Sequence, residues 1–127
     1  MSNVSVRYIV SNVEEAINFY TTHLGFQLEF HPGPGFARLA RENLRLLLSA
    51  VGGTGGASQA MPDGRFPQPG GWNRIQLETG DLAGLVQQLG ENGVHFRNEI
   101  VNGNGGRQIL LEDPSGNPIE LFEPYQS

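Results

Sequence analysis

The residues able to do chemistry are few. The sequence has three histidines, His23, His31 and His95, and no cysteine. Disulfides, thiolate metal sites and cysteine nucleophiles are therefore excluded. His23 falls at a helix end, His31 beside a turn and His95 at the start of a strand. No nucleophile is placed beside any of them, so no Ser-His-Asp set can be nominated. The runs Gly52-Gly-Thr-Gly-Gly56 and Gly103-Asn-Gly-Gly106 have the composition of a phosphate cradle. Neither opens a helix after a strand, and they read instead as a linker and a hairpin turn. What remains is Trp72-Asn73-Arg74, which follows Pro69-Gly70-Gly71 and continues to Gln76 and Glu78. The two-residue strand period puts Arg74, Gln76 and Glu78 on one face and Ile75 and Leu77 on the other. Trp72 offers either an aromatic wall for a planar ligand or an anchor for the preceding loop.

These side chains must be positioned by a small number of elements. Val4 to Val10 alternates in polarity and reads as a strand, with Val4, Val6, Tyr8 and Val10 on the core side and Ser5, Arg7 and Ile9 opposite. Asn12 with Glu15 forms a capping box that starts a helix with Ala16, Phe19, Tyr20 and His23 as its buried stripe, and Gly25 stops it. Strands are expected at 26–30, 36–40 and 44–49, with a turn over His31-Pro-Gly-Pro-Gly35 and a hairpin around Arg41-Glu-Asn43. Residues 52–71 shift to Gly, Pro, Ser and Gln with no periodicity, which marks a mobile lid or rim loop. The pattern then recurs. A strand over 73–79 precedes a helix capped by Asp81, with Leu82, Leu85, Val86 and Leu89 on one face and Gly93 as its stop. Strands at 95–101, 107–112 and 119–122 follow, the last two joined by the turn Asp113-Pro-Ser-Gly116.

Internal repetition of this kind is strong evidence of fold. It predicts an α+β chain of two βαβββ modules in tandem, one over 1–51 and one over 72–127, within a single domain spanning 1–127. The 127 residues carry eight arginines, no lysine, thirteen acidic residues and a net charge of -5. That balance argues against a nucleic-acid partner, which would need a concentrated basic face. No apolar run approaches a membrane span, and the N-terminal residues do not read as a signal peptide. The expected location is cytoplasmic, with no membrane partner.

Two segments, Asn12-Val-Glu-Glu-Ala-Ile-Asn-Phe-Tyr20 with Leu24-Gly-Phe26, and Leu111-Glu-Asp-Pro-Ser-Gly-Asn-Pro-Ile-Glu-Leu-Phe122, resemble the vicinal oxygen chelate superfamily. This family includes glyoxalases, bleomycin-resistance proteins and extradiol dioxygenases. The resemblance implies curved mixed sheets around a small-molecule cleft, often built across a homodimer. In metal-dependent members four strand positions supply ligands, and by spacing these fall on Ser5, Leu47, Arg74 and Glu120. Only Glu120 can ligate, so the resemblance implies a chain with no metal and no cofactor. Glu120 is open to two readings: a holder of a ligand group or general base, and a structural pair with Arg74. Catalytic residues are not assigned beyond Glu120 as a candidate. The expected ligand-binding set is Arg7, Trp72, Arg74, Gln76, Glu78 and Glu120. The function this implies is metal-independent binding of a small molecule, sequestering a drug or metabolite in the manner of antibiotic-resistance members, by a homodimer. The alternative is a lyase, isomerase or dioxygenase-like enzyme using Glu120 as base or metal ligand.

Overall fold

Alternating burial makes Val4–Val10 a strand, β1, with Tyr8 and Val10 inside and Arg7 outside. A computed structural model describes residues 2–126. Helix α1 (Val13–His23) begins where Asn12 Oδ1 accepts the Glu15 amide at 2.8 Å. It ends at Leu24 and Gly25, whose φ of 74° suits a residue without a side chain. Its buried stripe is rotated from the expected one. Val13, Ala16, Ile17 and Tyr20 are buried, while Phe19 and His23 lie half-buried at the flank with their rings 5.4 Å apart. The aliphatic side chains of Val13 and Ile17 complete the inward face and leave the ring pair at its edge.

Strand β2 (Gln27–Gly33) runs on through His31 and Pro32, so the turn is Pro34-Gly35 rather than the whole His31–Gly35 stretch. Register shifts between Leu28 and Gly33 absorb the proline, since an edge strand tolerates a missing donor. With β3 (Phe36–Arg41) and β4 (Leu44–Ala50) it completes a four-stranded sheet of order β1-β4-β3-β2. The β1–β4 pairing is parallel and the other two are antiparallel.

The second sheet repeats that order. Strand β5 (Ile75–Glu78) is shorter than expected and leaves Arg74 just before it. Helix α2 (Leu82–Glu91) starts where Asp81 Oδ1 accepts the Gly84 amide at 3.0 Å. Glu123 adds a second cap by accepting the Leu82 amide at 2.7 Å, which Arg107 steadies at 3.0 Å. The expected strand over 95–101 splits into β6 (His95–Phe96) and β7 (Val101–Asn102). The cause is Asn98, whose Oδ1 takes the Leu110 amide at 2.9 Å and displaces the backbone from the ladder. Strands β8 (Gly106–Glu112) and β9 (Pro118–Pro124) finish the sheet, of order β5-β9-β8-β6 with β7 also on β8. The chain is thus α+β, with two tandem βαβββ modules and mixed sheets of four and five strands.

By compactness the residues fall into two units, one running to Gly70 together with Pro114–Asn117, the other comprising Gly71–Asp113 and the residues from Pro118 on. The segment 52–70 belongs to the first unit and is fastened at both ends. Buried Ser58 donates its hydroxyl to Ala50 O at 2.6 Å, and the Gly70 amide donates to Asn117 Oδ1 at 2.8 Å. No helix among the described residues is long and apolar enough to cross a membrane.

Candidate functional site

On the second sheet the alternation sends Ile75, Leu77, Ile119 and Leu121 inward, all buried. Gln76 and Glu78 of β5 therefore share the opposite face with Glu120 of β9, and Gln76 is the direct cross-strand partner of Glu120. Glu120 is buried. Its Oε1 accepts Arg74 Nε at 3.1 Å and Nη2 at 2.9 Å, and its Oε2 accepts the Gln76 amide at 2.7 Å. Three of the roughly four acceptor positions of a carboxylate are thereby occupied. Arg74 also donates Nη1 to Trp72 O at 3.2 Å, which fixes the backbone that carries the indole. Glu78, two residues along from Gln76, is exposed, and its carboxylate has no hydrogen bond or ion pair among the described residues.

Trp72 is the one tryptophan of the chain and is 70% exposed. Arg97 lies over its ring, 4.9 Å from the centroid. That guanidinium is itself held by Glu112 at 2.7 Å and by Gly71 O at 2.8 Å. One indole face is thus covered by a fixed cation, an arrangement contributing about 0.5–1 kcal/mol at exposed sites. Arg97 and Glu112 were not among the expected site residues. Their signal in the sequence is slight: a cationic residue two positions after His95, whose own partner across the ladder is Glu112 at the end of β8. His95 is 3.8 Å from the same Glu112.

Arg7 lies on the first sheet, exposed as its strand parity requires, with Nη1 donating to buried Ser49 Oγ at 3.0 Å. The structure thus brings Arg74, Gln76 and Glu120 into one network, joins Trp72 to it through a carbonyl, sets Glu78 beside it without a bond, and gives Arg7 a separate partner on β4.

The donor set can be tested against a divalent metal. Among the described residues no group of three His, Asp or Glu side chains gathers in a way that could hold one. Arg74, which occupies Glu120 Oε1, offers only donors and a positive charge. The residues present do not fit a metal ion at Glu120.

A family model described as the Glyoxalase/Bleomycin resistance protein/Dioxygenase superfamily matches residues 4–121. The chain belongs to this superfamily. Similar solved structures within it include a superfamily member from Sphaerobacter thermophilus DSM 20745, at 29% identity and a TM-score of 0.76 over 97% of each chain. TnmS3, an antibiotic binding protein from Streptomyces sp. CB03234, is 29% identical with a TM-score of 0.73 over 98% of both chains. A glyoxalase/bleomycin resistance protein from the same Streptomyces is 30% identical, with a TM-score of 0.69 over 95% of this chain and 99% of that one. No curated protein sequence matches the chain. Superfamily membership accounts for the repeated strand order and for the equivalence of α1 and α2. It does not by itself assign a reaction, because one fold hosts many chemistries.

Proposed function

We propose that the chain binds a small planar molecule without a metal and without converting it, sequestering a drug or metabolite. The observation that carries this reading is the engagement of Glu120: its oxygens are taken up by Arg74 and Gln76, which leaves little capacity for a metal ion or a substrate proton. Beside that closed network, Trp72 presents an indole backed by Arg97 and open on its other face. Such a surface is suited to stacking with an aromatic ligand, while Arg74, Gln76 and Glu78 offer polar contacts at its side. The likeness to TnmS3, an antibiotic binding protein, supports the same class of ligand.

The single tryptophan makes the test direct. Titration with planar aromatic antibiotics should quench its fluorescence saturably, and the compound should be recovered unchanged. By calorimetry Trp72→Ala should bind at least about tenfold more weakly, a loss of about 1.4 kcal/mol, while its thermal midpoint stays near the parent's. Conversion of the compound, or a stoichiometric metal in protein purified without chelators, would overturn the reading.

The same proposal includes a homodimer. Leu28 and Phe30 are exposed on the edge strand β2, and an apolar edge of this kind calls for a cover. Light scattering at micromolar concentration should give twice the chain mass, and a monomer mass there would rule the dimer out.

A further inference from the structure

The hairpin joining β3 to β4 turns over two residues, Glu42 and Asn43, between the paired Arg41 and Leu44. Glu42 has a φ of 54° and is the one non-glycine residue with positive φ among those described. For a residue with a side chain this left-handed backbone costs about 1–2 kcal/mol. Asn43 beside it is the residue type that tolerates that region more readily, yet it does not occupy it. Strain kept at a surface position where glycine would relieve it is a pointer to function.

The turn is firmly built. Arg45 Nη1 donates to Glu42 O at 2.8 Å and to Leu44 O at 3.3 Å, and its Nε meets Glu29 Oε1 at 3.0 Å. Glu29 also receives Arg38 at 3.1 Å. By contrast, the Glu42 carboxylate, the Arg41 guanidinium and the Gln27 amide have no hydrogen bond or ion pair among the described residues. These three side chains line one open cavity of about 500 Å³, together with Gly25, Glu29 and Arg45. Arg41 Nε lies 3.6 Å from where a side chain on Gly25 would begin, an ordinary contact that places the guanidinium against the end of α1.

The charges around this cavity balance, Arg41 and Arg45 against Glu29 and Glu42. One pair, Arg45 with Glu29, neutralises itself. What the cavity leaves available is one cation, one anion and one amide. A simple anion would satisfy Arg41 and meet repulsion from Glu42, and a simple amine would do the reverse. A molecule carrying both groups satisfies both, its carboxylate on the planar fork of Arg41 and its ammonium on Glu42. We infer that this cavity of the first unit is a binding subsite for a free α-amino acid, separate from the stacking surface at Trp72 and not dependent on it.

The test is an NMR titration of amide signals in the full chain with each standard L-amino acid, up to about 10 mM, where a site of millimolar affinity is mostly filled. At least one amino acid should shift the Gln27, Arg41 and Glu42 signals saturably. Its deaminated and decarboxylated counterparts should leave them unmoved. Glu42→Gly and Arg41→Ala should each weaken the effect at least about tenfold. Glu42→Gly should nevertheless melt no lower than the parent, because glycine adopts that φ without strain. The inference is overturned if no amino acid moves these signals, if the single-ended counterparts move them equally, or if Glu42→Gly binds as the parent does. Fluorescence of Trp72 reports the other surface, so the two readings fail independently.

Discussion

Arg74→Met is expected to destabilise the protein by about 3 kcal/mol, clearly more than Glu120→Gln, which should cost about 1 kcal/mol. The difference comes from unequal burial within one pair. The Glu120 side chain is 9% exposed and that of Arg74 29% exposed. Without Arg74, the carboxylate stays in a nearly dry place with the Gln76 amide still bonded to its Oε2. Breaking a buried pair from that side costs about 3–5 kcal/mol, and the partial exposure of Arg74 sets the low end. Without the Glu120 charge, Arg74 can turn toward water and keep its bond to Trp72 O. Glutamine also retains an acceptor oxygen. The double change Arg74→Met with Glu120→Leu should recover most of the loss, since well-packed apolar residues replace such pairs with little penalty. Urea unfolding of the four proteins measures this. If Glu120→Gln proves the costlier single change, the carboxylate is not the buried member of the pair.

Asn117→Ala should cost about 2–3 kcal/mol, because one small side chain serves two backbone groups distant in sequence. Asn117 is 4% exposed; its Nδ2 donates to Ile9 O at 2.7 Å and its Oδ1 accepts the Gly70 amide at 2.8 Å. Alanine leaves both groups to find water in a confined place. Asn117→Asp should fall between, retaining the acceptor for Gly70 but no donor for Ile9. Hydrogen exchange supplies the second readout. In the parent, Gln59–Gln68, which are largely exposed, should exchange faster than buried Leu46 and Leu48. In Asn117→Ala the Gly70 amide should join that fast group. A stability loss under about 0.5 kcal/mol with Gly70 still protected would mean that water substitutes for the side chain.

The repeat was legible because its signals are local. Asn12 and Asp81 cap where their positions relative to the apolar pattern say they should, Gly25 and Gly93 stop the helices, and strand parity put Arg74, Gln76 and Glu78 on one face. Features missed depend on partners far along the chain. Asn98 breaks its strand only because Leu110 lies opposite it, and Glu123 caps α2 from the last strand. Nothing in the order of residues near Trp72 indicates that Arg97 covers it. The shifted burial of Phe19 and His23 shows the limit of a 3–4 spacing: it defines a stripe but does not centre it when Val13 and Ile17 compete. Glu42 illustrates another limit, since local preference would assign the left-handed position to Asn43. For Arg74 and Glu120, parity supplied one member and the family resemblance the other. That Arg74 sets both Nε and Nη2 on the single oxygen Oε1, leaving Oε2 to Gln76, follows from neither.

The membership of Pro114–Asn117 in the first unit bears on how the chain is made. A ribosome delivers residues 2–70 long before it delivers Asn117. Until then Ile9 O and the Gly70 amide have no Asn117 to meet, and Ser11 lacks its 2.8 Å contact with Ser115. The first unit is thus completed only after most of the second, Gly71–Asp113, has emerged. A fragment cut at Gly70 would lack its own last piece, so the first half of this repeat is not a separable copy of the second.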